Sequence, residues 1–182
     1  TGLVNNAGIF RAAVLEDVTE SDLRRMMEIN LIGTAACAQA AVARLRRIGK
    51  GGSVLNVASG SQAGDVALGG YAATKGAVAS LTYSWAMELR DSGIRMNALS
   101  PLAETAMAAQ NAHLMSLQAK NRDVHYATMP PAEVNAPVVS FLMSDAAKDV
   151  HGQVVRIAGR QLSFVTHPMI ATPVAEDDWT FE

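Results

Sequence analysis

Apolar runs and amphipathic stretches alternate along this chain. Residues 2–8, "GLVNNAG", form a short apolar run that breaks into Asn, Ala and Gly, which predicts a strand entering a turn. "VTESDLRRMMEINLIGTAACAQAAVARLRRIGKGG" (18–52) predicts one long helix. Thr19 with Asp22 resembles a capping box. Acidic residues open the helix, and Arg44, Arg46, Arg47 and Lys50 close it, matching its dipole. Gly49, Gly51 and Gly52 stop it. "SVLNVAS" (53–59) is almost continuously apolar, as a parallel strand covered on both faces must be. "GGYAATKGAVASLTYSWAMELRDSG" (69–93) predicts the next helix, and "IRMNALS" (94–100) a strand ended by Pro101. "PAEVNAPVVSFLMSD" (131–145) predicts a helix kinked at Pro137, and "GQVVRIAG" (152–159) the last strand. Residues 102–130 are irregular and Met-rich, and 160–182 read as a tail.

Strands alternating with helices across short connections imply right-handed βαβ units and a parallel sheet, in a single domain spanning 1–182. The chain is 49% hydrophobic and 18% charged, enough apolar material for a substantial core. A formal net charge of −2 provides no basic field for nucleic acid. No uninterrupted apolar segment reaches the length of a bilayer, and none has the pattern of a signal peptide, so no membrane partner is expected. Cys37, alone in the sequence, suits a reducing cytoplasm and is expected to be buried helix filler. The four His residues (113, 125, 151, 167) lack ligand spacing, and no metal is expected.

In open parallel sheets, ligands bind beyond the carboxyl ends of the strands. Asn5-Asn6-Ala7-Gly8, Ala58-Ser59 and Ser100-Pro101 all fall there. So does the start of the helix carrying Tyr71 and Lys75, whose spacing of four puts them on one helix face. A phenol with an ordinary pKa of about 10 is too weak a base near neutrality. An ammonium roughly 5 Å away, at an effective dielectric of about 20, would favour the phenolate by about 3 kcal/mol, or roughly two pKa units. Tyr71 could then act as acid and base. Ser59, at a strand exit, could hold the reacting oxygen, with Ser61 as its rival. Gly8 leaves room for close backbone approach to a flat ligand.

"NNAG" at 5–8, "EINLIG" around Asn30, "NVAS" at 56–59, "YAATK" at 71–75 and "IRMNALSP" at 94–101 stand in the order of a known family. Over residues 2–157 the chain resembles the short-chain dehydrogenases/reductases. The resemblance implies a Rossmann-like doubly wound parallel sheet and hydride transfer between NAD or NADP and a carbonyl/secondary-alcohol pair. It implies Asn30, Ser59, Tyr71 and Lys75 as the catalytic set, with Asn30 opening its helix locally. Cofactor contacts are implied at Asn5, Ala7, Gly8, Tyr71, Lys75, Pro101, Leu102 and Thr105. Leu102 stands where the family typically has Gly, Thr105 lies one residue early, and Ser59 lies one residue closer to the Tyr than usual.

By the same resemblance, 102–130 covers the substrate. Met107, Met115 and Met129 there suit an apolar one. Pairing of the two Ala-rich helices predicts a homodimer or homotetramer. The family's Gly-rich pyrophosphate turn and its NAD/NADP-discriminating position are not in these residues, and the chain opens inside a strand. A preceding half is therefore expected, in which case "GLVNN" would be a central strand. The alternative is a non-catalytic folding or dimerisation module.

Overall fold

A computed structural model describes residues 1–109 and 129–169. Met115, and the parts of the loop and tail segments at 110–128 and 170–182, lie outside the described residues. Five strands form one sheet in chain order: β1 (Gly2–Asn5), β2 (Gly52–Val57), β3 (Ile94–Leu102), β4 (Val154–Ala158) and β5 (Gln161–Val165). β1 to β4 run parallel, and β5 returns antiparallel on β4. β5 corrects the expectation of a tail beginning at residue 160. Gly159, at φ +60°, turns the chain back, and Leu162 and Phe164 alternate outward on the edge strand. Among the described residues β1 has one neighbour, and its Val4 is 38% exposed.

The first helical stretch begins as α1 (Glu20–Met26), widens into a π-helical segment (Met27–Gly33), and continues as α2 (Thr34–Ile48). Thr19 caps it: its hydroxyl accepts from the Asp22 N–H at 3.1 Å and donates to the Asp22 carboxylate at 2.8 Å. α3 (Gly69–Leu89) follows β2. α4 (Ala136–Met143) follows β3. A 3₁₀ turn (Ala132–Asn135) precedes α4, so Pro137 falls in the first turn of α4, where a missing N–H costs nothing.

Strand alternation sends side chains to two cores. On one face Ala38 and Leu45 of α2, with Ala86 and Leu89 of α3, close on Val54, Ile94 and Met96. On the other, Leu142 of α4 closes on Leu55, Leu99, Val155 and Ile157. Helices on both faces make the sheet doubly wound. Leu142 is fully buried, and truncation of such a side chain typically costs about 2–5 kcal/mol.

Two sequence expectations need correction here. Cys37 is exposed, because it lies one residue, about 100° of helix rotation, from the inward-facing Ala38. By length and composition alone, Glu20–Ile48 is also a helix that could cross a membrane. Glu28 and Asn30 interrupt its apolar run, and α2 packs against the sheet.

Candidate active site

The carboxyl ends of the strands gather the residues that the sequence singled out. α3 starts close to that edge, which brings its first turns over the exit of β2. Lys75, 4% exposed, donates from Nζ to the Val57 carbonyl at 2.7 Å. Nζ also lies 5.6 Å from the centre of the Tyr71 ring. Phe10, in the loop after β1, packs on that ring with centroids 4.8 Å apart and planes tilted by 53°. Ser59 caps the 3₁₀ turn Gly60–Ala63: its Oγ accepts from the Ser61 N–H at 3.2 Å. Its side chain lies close enough to the Tyr71 phenol to favour the charged form. Ser59 Oγ also donates to Ser61 Oγ at 3.3 Å, so the two serines stand together at the exit of β2.

Asn30 lies within the π-helical segment and is 1% exposed. Its amide pairs twice with one backbone residue: Nδ2 donates to the Ile9 carbonyl at 2.9 Å, and Oδ1 accepts from the Ile9 N–H at 2.8 Å. Nδ2 also donates to Thr74 Oγ1 at 3.1 Å, and Thr74 in turn donates to the Tyr71 carbonyl at 2.8 Å. One side chain thus ties the loop after β1 to the first turn of α3. The loop comes this close because Gly8 lacks a side chain. A β-carbon there would sit 3.3 Å from Asn30 Oδ1 and 3.7 Å from Lys75 Nζ.

The remaining positions fall around this centre. Asn5 is buried and turned inward: Nδ2 donates to the Thr34 carbonyl at 3.2 Å and to Asn56 Oδ1 at 2.9 Å. Asn56 passes the chain on to Thr82 at 3.0 Å. The Asn5 side chain therefore fastens β1 to β2 and to α2. Ala7 is exposed on the turn. Pro101 and Leu102 end β3 opposite Ile157 and Ala158. Thr105 is exposed and caps the helical residues 106–109, its Oγ1 accepting from the Ala108 N–H at 3.1 Å. Two buried acceptors, Gln62 Oε1 and Asn135 Oδ1, have no partner among the described residues. Asn135 donates its Nδ2 to the Leu102 carbonyl at 3.5 Å.

The electrostatics differ from the sequence expectation. Burial pushes the Tyr71 phenol above its ordinary value, and the nearby Ser59 side chain only opposes that rise. Burial also pulls Lys75 down to about 8. The expected pull of Lys75 on the phenol presumed a fully charged ammonium in a well-screened setting. Instead, desolvation penalises the charged form of each group. The ammonium hydrogen-bonds the Val57 carbonyl and lies over the ring.

Thr74, Phe10, Ile9 and the Val57 carbonyl were not singled out from sequence. Thr74 alone left a signal, as a polar residue beside Lys75 on a helix that must bury that face.

Comparison with known proteins places the chain in a family. A family model described as Enoyl-(Acyl carrier protein) reductase matches residues 1–159. A 3-oxoacyl-[acyl-carrier-protein] reductase of Thermotoga maritima is 36% identical over 165 residues, covering 86% of this chain and 64% of that protein. A 3-alpha-(or 20-beta)-hydroxysteroid dehydrogenase of Mycobacterium bovis is 43% identical over 107 residues, 58% of this chain and 41% of that one. A gluconate 5-dehydrogenase from Burkholderia cenocepacia, solved with NADP and tartrate, superposes with a TM-score of 0.73 at 30% identity, covering 87% of this chain and 63% of that one. The chain therefore spans less than two thirds of the length of these relatives. With its ordered motifs, its doubly wound sheet and these matches, the chain belongs to the short-chain dehydrogenase/reductase family.

Proposed function

We propose that the chain forms the catalytic part of an oxidoreductase. It would use NAD or NADP to interconvert the carbonyl and secondary-alcohol forms of an apolar substrate, with Tyr71 as acid and base. The observation that carries this reading is the convergence of Ser59, Tyr71 and Lys75 at the carboxyl edge of the sheet. The residues present fit the nicotinamide–ribose end of such a cofactor. Gly8 presents bare backbone beside Asn30 and Lys75, and Asn135 Oδ1, without a partner among the described residues, is an acceptor near the end of β3. Lys75 would hold the ribose hydroxyls. When bound, the cofactor gives or takes the hydride.

The chain's own residues handle the proton. Burial keeps the Tyr71 phenol protonated at neutral pH, so it is poised to donate to a carbonyl oxygen in the reductive direction. Ser59 holds that oxygen by hydrogen bonding as negative charge develops on it. Asn30 and Thr74 fix the helix turn that carries the phenol. Substrate apolarity is supported by Met107 and Met129, and by the hydroxysteroid and oxoacyl compounds named for two relatives.

We place the protein in the cytoplasm, where exposed Cys37 would stay reduced, and assign it a homodimer or homotetramer. Supporting assembly, Ile32 is 60% and Met87 71% exposed, and Leu23, Met27 and Ile32 line a shallow apolar groove on the first helix.

The test is Tyr71→Phe in the full-length protein carrying this chain. Turnover of an apolar ketone such as benzylacetone should fall about 10²–10⁴-fold, with cofactor binding nearly unchanged because the ring still packs on Phe10. Retention of more than about a tenth of the activity would sink the assignment.

A further inference from the structure

Arg156 is a cation that the catalytic reading leaves unused. It sits in β4, opposite Ser100 of β3 and Ser163 of β5. Its neighbours Val155 and Ile157 point into the core under α4, so alternation turns Arg156 to the face where α3 packs, alongside Val154. There Nη1 donates to the fully buried Ser100 Oγ at 3.3 Å. No carboxylate among the described residues forms an ion pair with it. A partly buried guanidinium with a single hydroxyl partner is costly to keep, so its contacts matter.

The other contact is with Gly60, the residue after Ser59. A β-carbon placed on Gly60 would collide with Arg156 Nη1 and lie 3.1 Å from Cζ. The guanidinium therefore lies against the bare α-carbon that opens the turn capped by Ser59, the residue beside the Tyr71 phenol. That turn is otherwise closed on itself: the Gln62 N–H donates to the Ser59 carbonyl at 3.2 Å, and the Gly64 N–H to the Ser61 carbonyl at 2.9 Å. Gln62 Oε1 is buried without a hydrogen-bond partner among the described residues. At the strand exit, the Ala58 N–H donates to the Leu99 carbonyl at 2.8 Å. The turn packs against α3 on one side, and Arg156 meets it at Gly60.

We propose that Arg156 is a positioning residue for Ser59: its planar guanidinium, fixed by Ser100, is the plate against which Gly60 sets the serine hydroxyl toward Tyr71. The proposal rests on the reading of Ser59 and Tyr71 above. A rigid fork suits the task better than a flexible ammonium, because less freedom is lost per contact formed. A displacement of about 1 Å at a catalytic group can cost on the order of 100-fold in rate.

The test uses the full-length protein, benzylacetone and whichever of NADH or NADPH it oxidises. Arg156→Met should lower kcat about 10- to 100-fold and leave both KM values within about twofold, since orientation is lost and binding is not. Gly60→Ala should act in the same way by pushing the guanidinium aside. The two changes together should be no worse than Arg156→Met alone, because they disturb one contact. Arg156→Lys, which keeps the charge without the fork, should be partly impaired and supplies the answer if the Met variant does not fold. A crystal structure of Arg156→Met or Arg156→Lys should show Ser59 Oγ displaced from Tyr71, a readout that needs no turnover. Parental kcat in Arg156→Met, additive losses in the double variant, or an unmoved Ser59 would each overturn the proposal. Loss of activity in Tyr71→Phe tests the parent reading separately.

Discussion

Lys75 gives the sharpest stability prediction. Its ammonium is 4% exposed, and burial holds its pKa at about 8, against an ordinary value near 10.5. Below pH 8 both folded and unfolded chains carry the proton, and the folded state bears the full cost of a buried charge. Between about 8 and 10.5 the unfolded chain binds more protons than the folded one, so stability must rise with pH across that window. The gap of roughly 2.5 units corresponds to about 3 kcal/mol. Most of it lies where burial, not a partner carboxylate, sets the shift. Replacing Lys75 with Met removes the titrating group while keeping much of its packing. Urea unfolding of parent and Lys75→Met, without added cofactor, should therefore show a difference that moves in the parent's favour as pH rises. The expected movement is about 2 kcal/mol between pH 7 and about pH 9.5, before the phenols titrate. A difference that stays flat across this range would mean that Lys75 keeps an ordinary pKa in the folded protein, and the desolvation reasoning would fail.

Three further outcomes follow from the same geometry. Ser59→Ala should cost about 10²–10³-fold in rate, the scale of one lost oxyanion donor, whereas Ser61→Ala should cost far less; steady-state kinetics showing the reverse ranking would reassign the serine. Asn30→Leu strands both the N–H and the carbonyl of Ile9, as well as Thr74 Oγ1, and should destabilise the fold by about 2–5 kcal/mol in chemical denaturation. A loss under about 1 kcal/mol there would show that water replaces the amide. Light scattering should find a dimer or tetramer at micromolar concentration, and a monomer would mean that exposed Ile32 and Met87 face solvent in the working protein.

The order of elements and the gathering of Ser59, Tyr71 and Lys75 at one sheet edge were legible because hydrophobic period and strand order place residues whatever their chemistry, whereas Asn30 was pointed to by the family resemblance alone. Thr19 was legible as a cap because its signal is local. The hairpin partner β5 was missed although Leu162 and Phe164 alternate as a strand should; the Gly159-Arg160 turn looked like an end instead of a reversal. For Asn5 the resemblance implied a cofactor contact, and the structure adds that its side chain starts a buried polar chain through Asn56 to Thr82 of α3. The direction of the Tyr71 shift was out of reach for a different reason. Spacing gives the separation of two charges, whereas burial decides which charge survives, and burial is a property of the whole fold.

The π-helical segment has a consequence for chain length. Met26, Asn30, Thr34 and Ala38 are all buried, each four residues after the last. In a regular α-helix each such step drifts about 40° around the axis, so the last of the four would stand about 120° from the first. The wider winding at Met27–Gly33 absorbs that drift and keeps the line facing inward. The helix therefore keeps phase by counting in fours. Removing one residue between Met27 and Gly33 would let ordinary winding cover the same three turns, because eleven residues at about 100° each come within about 20° of them. Ala38 and Leu45 would still face the core, so the extra residue serves the wide turn that carries Asn30 and not the packing beyond it.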